Sequence, residues 1–167
     1  QKEDIEPDII ALAKGLGGGF PVGAVMAKAE VGDAMVPGTH GSTFGGNPLA
    51  MRSANAVLEL LLENDFLSNL RKMIVYFDKK MDELIKNDMQ NNPIIFAKKG
   101  SGMLRGFQLN EDVTAGDFSN IAREKSLLLV GAAENTIRLL PPLNTSKEEV
   151  DNAFDILNDI VLELKKT

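Results

Sequence analysis

The sequence predicts an α/β fold, in which short apolar strands alternate with longer amphipathic helices. Two observations lead to this class. Short apolar runs bounded by glycine, proline or polar residues recur near both ends of the chain, and such runs are typical of strands. Longer stretches carry apolar residues at helical spacing. With 44% apolar and 25% charged residues in 167, the composition is that of an ordinary globular protein.

The N-terminal part predicts two strands joined by a glycine-rich loop. Residues 9–12, Ile-Ile-Ala-Leu, form an apolar run that suggests a strand buried on both faces. The loop that follows leads into a second short strand over residues 22–27. Residues 28–37 favour a turn or a short helix. Residues 38–47 are too rich in glycine and hydroxyl groups to form a regular element.

Two long helices are predicted next. Asn47 followed by Pro48 is a helix-start signal, because an N-cap side chain precedes a proline at the first helical position. Apolar residues then recur at helical spacing up to Leu62, and the polar residues 63–65 interrupt the pattern. A second amphipathic stretch covers residues 66–85. We expect the apolar faces of both helices to pack on a sheet.

The C-terminal stretch predicts a β-β-α-β-β-α module. Its last helix opens with overlapping capping boxes, Thr145 with Glu148 and Ser146 with Glu149. The other expected elements are strands over residues 94–97 and 104–109, a short helix over 117–125, and strands over 126–130 and 135–142.

Composition and charge exclude several classes of function. The net charge is −6 without a cluster of lysine and arginine, which argues against nucleic-acid binding. No apolar run reaches the roughly 18 residues of a membrane span, so we expect no membrane insertion and a cytoplasmic location. With no cysteine and His40 as the single histidine, we expect no metal site. Because the sequence opens on Gln1 and runs directly into a strand, we expect it to be the C-terminal part of a longer protein.

The first chemistry-bearing stretch is PDIIALAKGLGGGFPVGA, residues 7–24. It is not a Walker loop, because Lys14 precedes the glycines. It is not a dinucleotide fingerprint either, because Phe20 replaces the third glycine and a strand follows. Lys14 comes at the C-terminal end of an apolar strand, where open α/β sheets bind ligands. Its amine is either a nucleophile toward such a ligand or an ordinary solvated cation beside a loop.

The second stretch is GTHGSTFGGNPLA, residues 38–50. The hydroxyl groups of Thr39, Ser42 and Thr43 lie among backbone N–H groups that glycine leaves accessible. This combination suits an anion such as a phosphate. Taken by itself, the stretch also fits a polar loop that caps the following helix.

Together the two stretches resemble the class III aminotransferases, pyridoxal-phosphate enzymes of the aspartate-aminotransferase fold (fold type I). Within that family they most resemble the enzymes acting on N-acetylornithine, and IRLLPPL at residues 137–143 is a looser match. The resemblance implies that the chain is the C-terminal portion of that architecture. Residues 1–92 would be the end of the large cofactor-binding domain with long linking helices, and residues 93–167 the small C-terminal α/β domain.

The resemblance also implies roles for four residues. Lys14 would be the catalytic lysine, binding pyridoxal 5′-phosphate as a Schiff base and moving a proton between substrate and cofactor. The Thr43 hydroxyl would reach the cofactor phosphate of the neighbouring subunit in a homodimer with a shared active site. Ser42 would lie beside the acyl-ornithine substrate. Arg138 would bind a substrate carboxylate, although a strand arginine paired with a surface acid is the alternative.

The implied reaction is transamination of N-acetylornithine with 2-oxoglutarate, in arginine biosynthesis. Ornithine, succinylornithine and 4-aminobutyrate aminotransferases are alternatives, as is a non-catalytic fragment. In the family the remaining cofactor-binding residues precede the lysine, whereas here only thirteen residues precede Lys14. We therefore expect this chain to be inactive without a missing N-terminal half. Arg105 and His40 are expected to have structural roles, the latter by packing or hydrogen bonding in its loop.

Overall fold

The structure, a computed structural model, describes residues 4–90 and 92–166, and its two compact units divide between Leu67 and Ser68. In the described part, no helix is both long and apolar enough to cross a bilayer. The elements in chain order are β1 (Ile9–Leu12), a 3₁₀ turn (Lys14–Gly17), β2 (Ala24–Ala27), α1 (Ala29–Gly32), α2 (Pro48–Leu62), α3 (Phe66–Asp88), β3 (Ile95–Ser101), β4 (Leu104–Leu109), α4 (Ala115–Glu124), β5 (Val130–Ala132), β6 (Thr136–Leu139) and α5 (Lys147–Leu164).

The N-terminal unit contains a two-stranded antiparallel sheet. Ile9 of β1 lies opposite Ala27 of β2, and Leu12 lies opposite Ala24. Every residue of both strands is exposed, with Ile9 at 57%. The prediction that residues 9–12 are buried on both faces is therefore wrong for the described residues. The strand itself is confirmed, but a two-stranded ribbon has too little sheet to cover its own side chains.

Helix α2 begins where the capping signal predicts. The Asn47 side chain accepts a hydrogen bond from the Ala50 N–H at 2.9 Å and donates one to the Phe44 carbonyl at 2.8 Å. Pro48 occupies the first helical position, where no N–H is needed. The helix ends at Leu62, and the polar interruption separates it from α3 as predicted.

The C-terminal unit has the predicted β-β-α-β-β-α order. Its four strands form an antiparallel sheet in the order β3-β4-β6-β5. Two edge-to-face aromatic pairs join the layers, Phe77 with Phe154 at 5.2 Å and Phe107 with Phe118 at 5.4 Å between ring centroids. The core also contains Met81, Leu84, Ile94, Ile95, Met103, Leu109, Ala122, Ile137, Leu139, Val150, Leu157, Ile160 and Val161.

Helix α3 belongs to the C-terminal unit. It buries Phe77, Met81 and Leu84 in the core of that unit, which is why the chain divides before most of the helix rather than after it. The apolar face of α3 is visible in the sequence, but the sheet on which it packs is not. The domain division 1–92 and 93–167, which concerns an assembled enzyme, stays a prediction.

Within residues 126–130, only Val130 belongs to a strand. Ser126 has a left-handed backbone (φ 64°), and the Leu127 N–H closes α4 by donating to the Ala122 carbonyl at 2.8 Å. The strand predicted over 126–130 is thus reduced to β5, beginning at Val130. Similarly, β6 ends at Leu139, because the two prolines after Leu140 cannot donate ladder hydrogen bonds.

Candidate active site

Lys14 lies directly after β1, where the chain leaves the sheet. Its backbone adopts φ 54°, a left-handed conformation that costs energy in any residue other than glycine. The 3₁₀ turn then runs from Lys14 to Gly17. Strained non-glycine backbone persists only where its surroundings hold it, and it is concentrated at functional sites. The conformation of Lys14 therefore marks this turn as a candidate site.

Two of the glycines after Lys14, Gly17 and Gly18, have a structural explanation. Gly18 adopts φ 58° and donates its N–H to the Gly15 carbonyl at 3.1 Å. Gly17 is buried, and a Cβ built on it would lie only 2.7 Å from Val22 Cγ1. The loop is therefore a tight turn that larger residues would open. Such a turn lets a flat ligand approach the backbone.

The amine of Lys14 is unpaired among the described residues. The side chain is exposed, and its Nζ makes no hydrogen bond or ion pair with any residue that the structure describes. By contrast, the amine of Lys28 lies 2.9 Å from the Asp8 carboxylate. A lysine amine without a competing ion pair is the group that forms a Schiff base with a carbonyl carbon once it is deprotonated.

Helix α2 packs against the turn. The Ser53 hydroxyl donates to the Gly17 carbonyl at 2.7 Å. A Cβ on Gly18 would lie 2.9 Å from Val57 Cγ2, so the helix and the loop are in close contact. Ser53 is not among the site residues predicted from the sequence. Its signal was a hydroxyl on the same face of α2 as the buried Ala50 and Ala54.

The hydroxyl-rich loop forms a separate cleft of about 240 Å³. Ser42 lines this cleft together with residues 21–23 and the start of α2. Thr43 is exposed. The Thr39 hydroxyl is engaged in a local turn, donating to the Val36 carbonyl at 2.7 Å. Ser42 is therefore near the end of the glycine loop, whereas the cleft's lining does not include Thr43.

The structure brings Ser42 near the glycine loop but does not join it to the lysine. No hydrogen bond among the described residues links Lys14 to Ser42 or Thr43. His40 is exposed and makes no hydrogen bond with a described residue, and the packing or hydrogen-bonding role expected for it stays a prediction. Polar loops of this kind can keep exposed side chains without local partners. The cofactor role of Thr43 and the substrate role of Ser42 stay predictions.

Arg138 lies on β6 in the C-terminal unit. It is exposed, and in register it lies between Gly106 of β4 and Val130 of β5. Its guanidinium makes no hydrogen bond or ion pair with the described residues, so the expected alternative of a surface acid is not found among them. Arg138 also borders an apolar cavity of about 270 Å³ beside residues 127–129. Its role as a carboxylate ligand stays a prediction.

Arg105 is structural, as predicted. Its guanidinium donates to the carbonyls of Gly100 at 2.8 Å and Gly102 at 3.0 Å, and it pairs with Asp78 at 2.9 Å. These contacts hold the β3–β4 hairpin to helix α3. Each of the three guanidinium nitrogens makes one of these contacts.

Comparison with known proteins identifies a family. The model of the family described as aminotransferase class III matches residues 1–161. An acetylornithine aminotransferase of Aquifex aeolicus is 40% identical over 161 residues, covering 96% of this chain and 39% of that protein. Acetylornithine aminotransferase 1 of Bradyrhizobium diazoefficiens is 39% identical over 153 residues, covering 92% of this chain and 36% of the relative.

Solved structures give the same result. The ornithine δ-aminotransferase of Plasmodium falciparum superposes with a TM-score of 0.87 at 30% identity, covering 99% of this chain and 42% of that one. The acetylornithine aminotransferase of Elizabethkingia anophelis gives a TM-score of 0.85 at 34% identity, with coverage of 97% and 40%.

The chain spans about two fifths of the length of these relatives. The similarity extends across both compact units, since it covers nearly all of this chain. It confirms the predicted fold class, an α/β portion of the aspartate-aminotransferase-like architecture. The chain belongs to the class III aminotransferase family.

Proposed function

We propose that this chain is the lysine-bearing, C-terminal part of an enzyme that transfers the amino group of N-acetylornithine to 2-oxoglutarate, in arginine biosynthesis. One observation carries the proposal: Lys14 presents an unpaired amine from a strained turn at the end of β1. The substrate is inferred from the acetylornithine aminotransferases among the relatives, such as the 40% identical protein of Aquifex aeolicus.

The residues present fit pyridoxal 5′-phosphate, on which class III aminotransferases depend. When bound, this cofactor supplies an electron sink for the carbanion formed at the substrate carbon. Lys14 has the free amine that its aldehyde requires. Ser42 and Thr43, in a glycine-rich loop, offer the hydroxyl and N–H donors that suit its phosphate. The ornithine aminotransferase of Toxoplasma gondii is described with partial occupancy of PLP at its active site.

Each site residue then has a distinct task. Lys14 would hold the cofactor, and its amine would act as the base that takes a proton from the substrate carbon and returns it. The glycine loop allows the flat ring to approach the backbone. Thr43 donates its hydroxyl to the phosphate across a two-fold interface, and Ser42 borders the acyl group of the substrate. Arg138 binds a substrate carboxylate with both arms of its guanidinium.

The proposal includes a requirement for the rest of the enzyme. The family resemblance assigns the partner of the cofactor ring nitrogen and most of the phosphate site to residues that precede the lysine. The exposed apolar side chains of β1 and β2, including Ile9 at 57% and Val25 at 71%, agree with a surface that further strands and helices cover. We propose that the chain alone is inactive and that the complete homodimer acts in the cytoplasm.

Complementation tests this proposal. Mixing or co-expressing the chain with the N-terminal part of the enzyme should restore amino transfer from N-acetylornithine to 2-oxoglutarate. Lys14→Ala should abolish the restored activity, whereas Lys72→Ala, which removes another exposed lysine, should leave it unchanged. Robust activity from the 167-residue chain by itself would refute the inactive-fragment proposal. Activity in the Lys14→Ala complex would refute the assigned role of the lysine.

Ornithine is the second candidate substrate. The observation that favours it is the superposition on the Plasmodium falciparum ornithine δ-aminotransferase, with a TM-score of 0.87. A panel of N-acetylornithine, ornithine, succinylornithine and 4-aminobutyrate, tested on the complemented enzyme, decides between them by the ratio of kcat/KM values. A purely structural fragment is distinguished by borohydride reduction with pyridoxal phosphate, since only a productive site traps the cofactor selectively on Lys14.

A further inference from the structure

The strained conformation of Lys14 needs neighbours that hold it. A left-handed non-glycine residue relaxes unless the surrounding structure fixes its backbone. The turn that starts at Lys14 ends at Gly17, whose carbonyl accepts two hydrogen bonds. One comes from the Phe20 N–H at 3.0 Å and the other from the Ser53 hydroxyl at 2.7 Å. The second bond is the only one of the two that comes from outside the loop.

Ser53 is a costly choice for its place in helix α2. Alanine is the better helix former, and the same helix buries alanine at positions 50 and 54. A serine inside a helix commonly bonds to a carbonyl of its own helix. Here the hydroxyl instead reaches a residue 36 positions away in sequence. The hydroxyl at this position therefore has a tertiary role.

Val57, one helical turn further on, supports the same contact. It lies so close to Gly18 that a Cβ there would approach Val57 Cγ2 to 2.9 Å. Val22 also lies against the turn, because a Cβ on Gly17 would approach Val22 Cγ1 to 2.7 Å. The Gly17–Gly18 end of the turn is thus packed against Val22 and against the Ser53–Val57 face of α2.

We propose that Ser53 is a positioning residue for Lys14, acting through the Gly17 carbonyl to keep the lysine in the conformation that presents its amine to the cofactor aldehyde. This inference rests on the proposed function. Ser53 itself contacts no cofactor atom in the proposal. Loss of its hydroxyl leaves the helix intact but frees the end of the turn.

The experiment uses the chain complemented with the N-terminal part of the enzyme and compares Ser53→Ala, Ser53→Thr and Asn55→Ala. Asn55 is an exposed residue of the same helix whose side chain makes no hydrogen bond to a described residue, so its variant is the matched control. One measurement is hydrogen exchange at the amides of Gly18 and Phe20. The other is borohydride trapping with pyridoxal 5′-phosphate, scored by mass spectrometry as the ratio of adduct on Lys14 to adduct on Lys72.

Ser53→Ala should raise the exchange rate and lower the adduct ratio, each by about fivefold, the effect expected of one net hydrogen bond. Ser53→Thr, which keeps the hydroxyl, should restore both values, and Asn55→Ala should change neither. The thermal midpoint should be the same in Ser53→Ala and Asn55→Ala. A purely structural role would lower that midpoint in Ser53→Ala without changing the adduct ratio.

The outcomes that overturn the proposal differ from those that overturn the proposed function. An unchanged adduct ratio in Ser53→Ala, with selective trapping in the unsubstituted chain, refutes the positioning role. A threonine variant that behaves like the alanine variant refutes the role of the hydroxyl. If the unsubstituted chain, complemented with the N-terminal part of the enzyme, traps no cofactor selectively on Lys14, the proposed function fails. Hydrogen exchange then decides alone whether Ser53 holds the turn.

Discussion

Lys165 Nζ lies 2.9 Å from Oδ1 of Asp88, whose side chain is fully buried at the end of α3. The ammonium is off the hydrogen-bonding direction of Oδ1, so this contact is an ion pair without a hydrogen bond. The same Nζ donates to the backbone carbonyls of Asp88 and Gln90, and Asp88 Oδ2 accepts the Ile95 N–H at 2.6 Å. One buried carboxylate thus joins the end of α3, the start of β3 and the end of α5.

Removing the cation should destabilise the protein strongly. Lys165→Met leaves the buried Asp88 carboxylate without its counter-ion, and breaking one side of such a pair costs about 3 kcal/mol. Urea unfolding measures the change in free energy. Lys166→Met, which removes the neighbouring exposed lysine, is the control and should cost less than about 0.5 kcal/mol. Equal losses in the two variants would show that the ion pair does not stabilise the fold.

The Asp151 carboxylate should make stability depend on acid pH. Hydrogen bonds from Lys80 at 2.7 Å, from the Tyr76 hydroxyl and from Lys147 at 3.0 Å hold the pKa of Asp151 well below its ordinary value. A lowered folded-state pKa stabilises the protein above the unfolded pKa of about 3.9, and the contribution is lost as pH falls toward the folded value.

Asp151→Asn measures this contribution. The difference in unfolding free energy between the unsubstituted chain and the variant should be constant above about pH 5 and shrink steadily from about pH 4 to pH 2. Asp155→Asn, which alters an exposed carboxylate of the same helix, should show a much smaller pH dependence. A difference that grows on acidification would contradict the assignment, because it has the opposite sign.

Asn135 should be hard to replace, because it serves two functions. Its backbone adopts φ 49° in the β5–β6 turn, and its side-chain amide donates to the carbonyls of Asn110 and Val113, both at 2.8 Å. The side-chain oxygen Oδ1 of Asn135 accepts a hydrogen bond from the Ala115 N–H at 2.7 Å, at the start of α4. Asparagine is among the few residues that tolerate this backbone conformation.

Two substitutions separate these functions. Asn135→Gly keeps the backbone conformation and loses the hydrogen bonds, at an expected cost of about 2 kcal/mol. Asn135→Ala loses both and should cost about 1 kcal/mol more. Chemical denaturation of the two variants gives the order. An alanine variant as stable as the glycine variant would mean that the turn changes its conformation rather than bearing the strain.

The glycine loop offers a matched pair of substitutions. Gly17→Ala places a Cβ 2.7 Å from Val22 Cγ1, an overlap that should cost about 1–3 kcal/mol and shift the end of the lysine turn. At Gly15 a Cβ meets no atom within 4 Å, so Gly15→Ala is the control. Trapping of pyridoxal phosphate on Lys14 should fall in the first variant and persist in the second. Equal trapping would show that the turn geometry is not required.

Local signals predicted the elements well. Asn47 caps α2, and Ser146 with Glu149 forms the predicted capping box of α5, because capping depends on neighbours within three residues. The β-β-α-β-β-α order followed from patterns of the same short range. Burial of residues 9–12 was not predictable, because it depends on which other elements cover the strand. The sheet on which α3 packs was not predictable either, because its strands lie later in the sequence.

The candidate site was predicted in part. Lys14 stands out because a cation between an apolar strand and several glycines is unusual, and its left-handed backbone agrees with that reading. The roles of Thr43 and Arg138 rest on the family resemblance. Their proposed partners are a cofactor phosphate and a substrate carboxylate, which the residues around them do not reveal. Ser53 is visible in the sequence only as a hydroxyl on the apolar face of a predicted helix, and its partner is not, because the contact with Gly17 spans 36 residues. Such a contact exists only once the helix has packed on the loop.

Because most of α3 belongs to the C-terminal unit, the polypeptide can be divided before this helix but not after it. A gene product starting at residue 93, the boundary that the sequence suggests, would lose Phe77, Met81 and Leu84 from beneath its sheet. One starting in the short polar joint at residues 63–65 would retain them. Expression trials, limited proteolysis and split-protein reassembly should therefore target that joint.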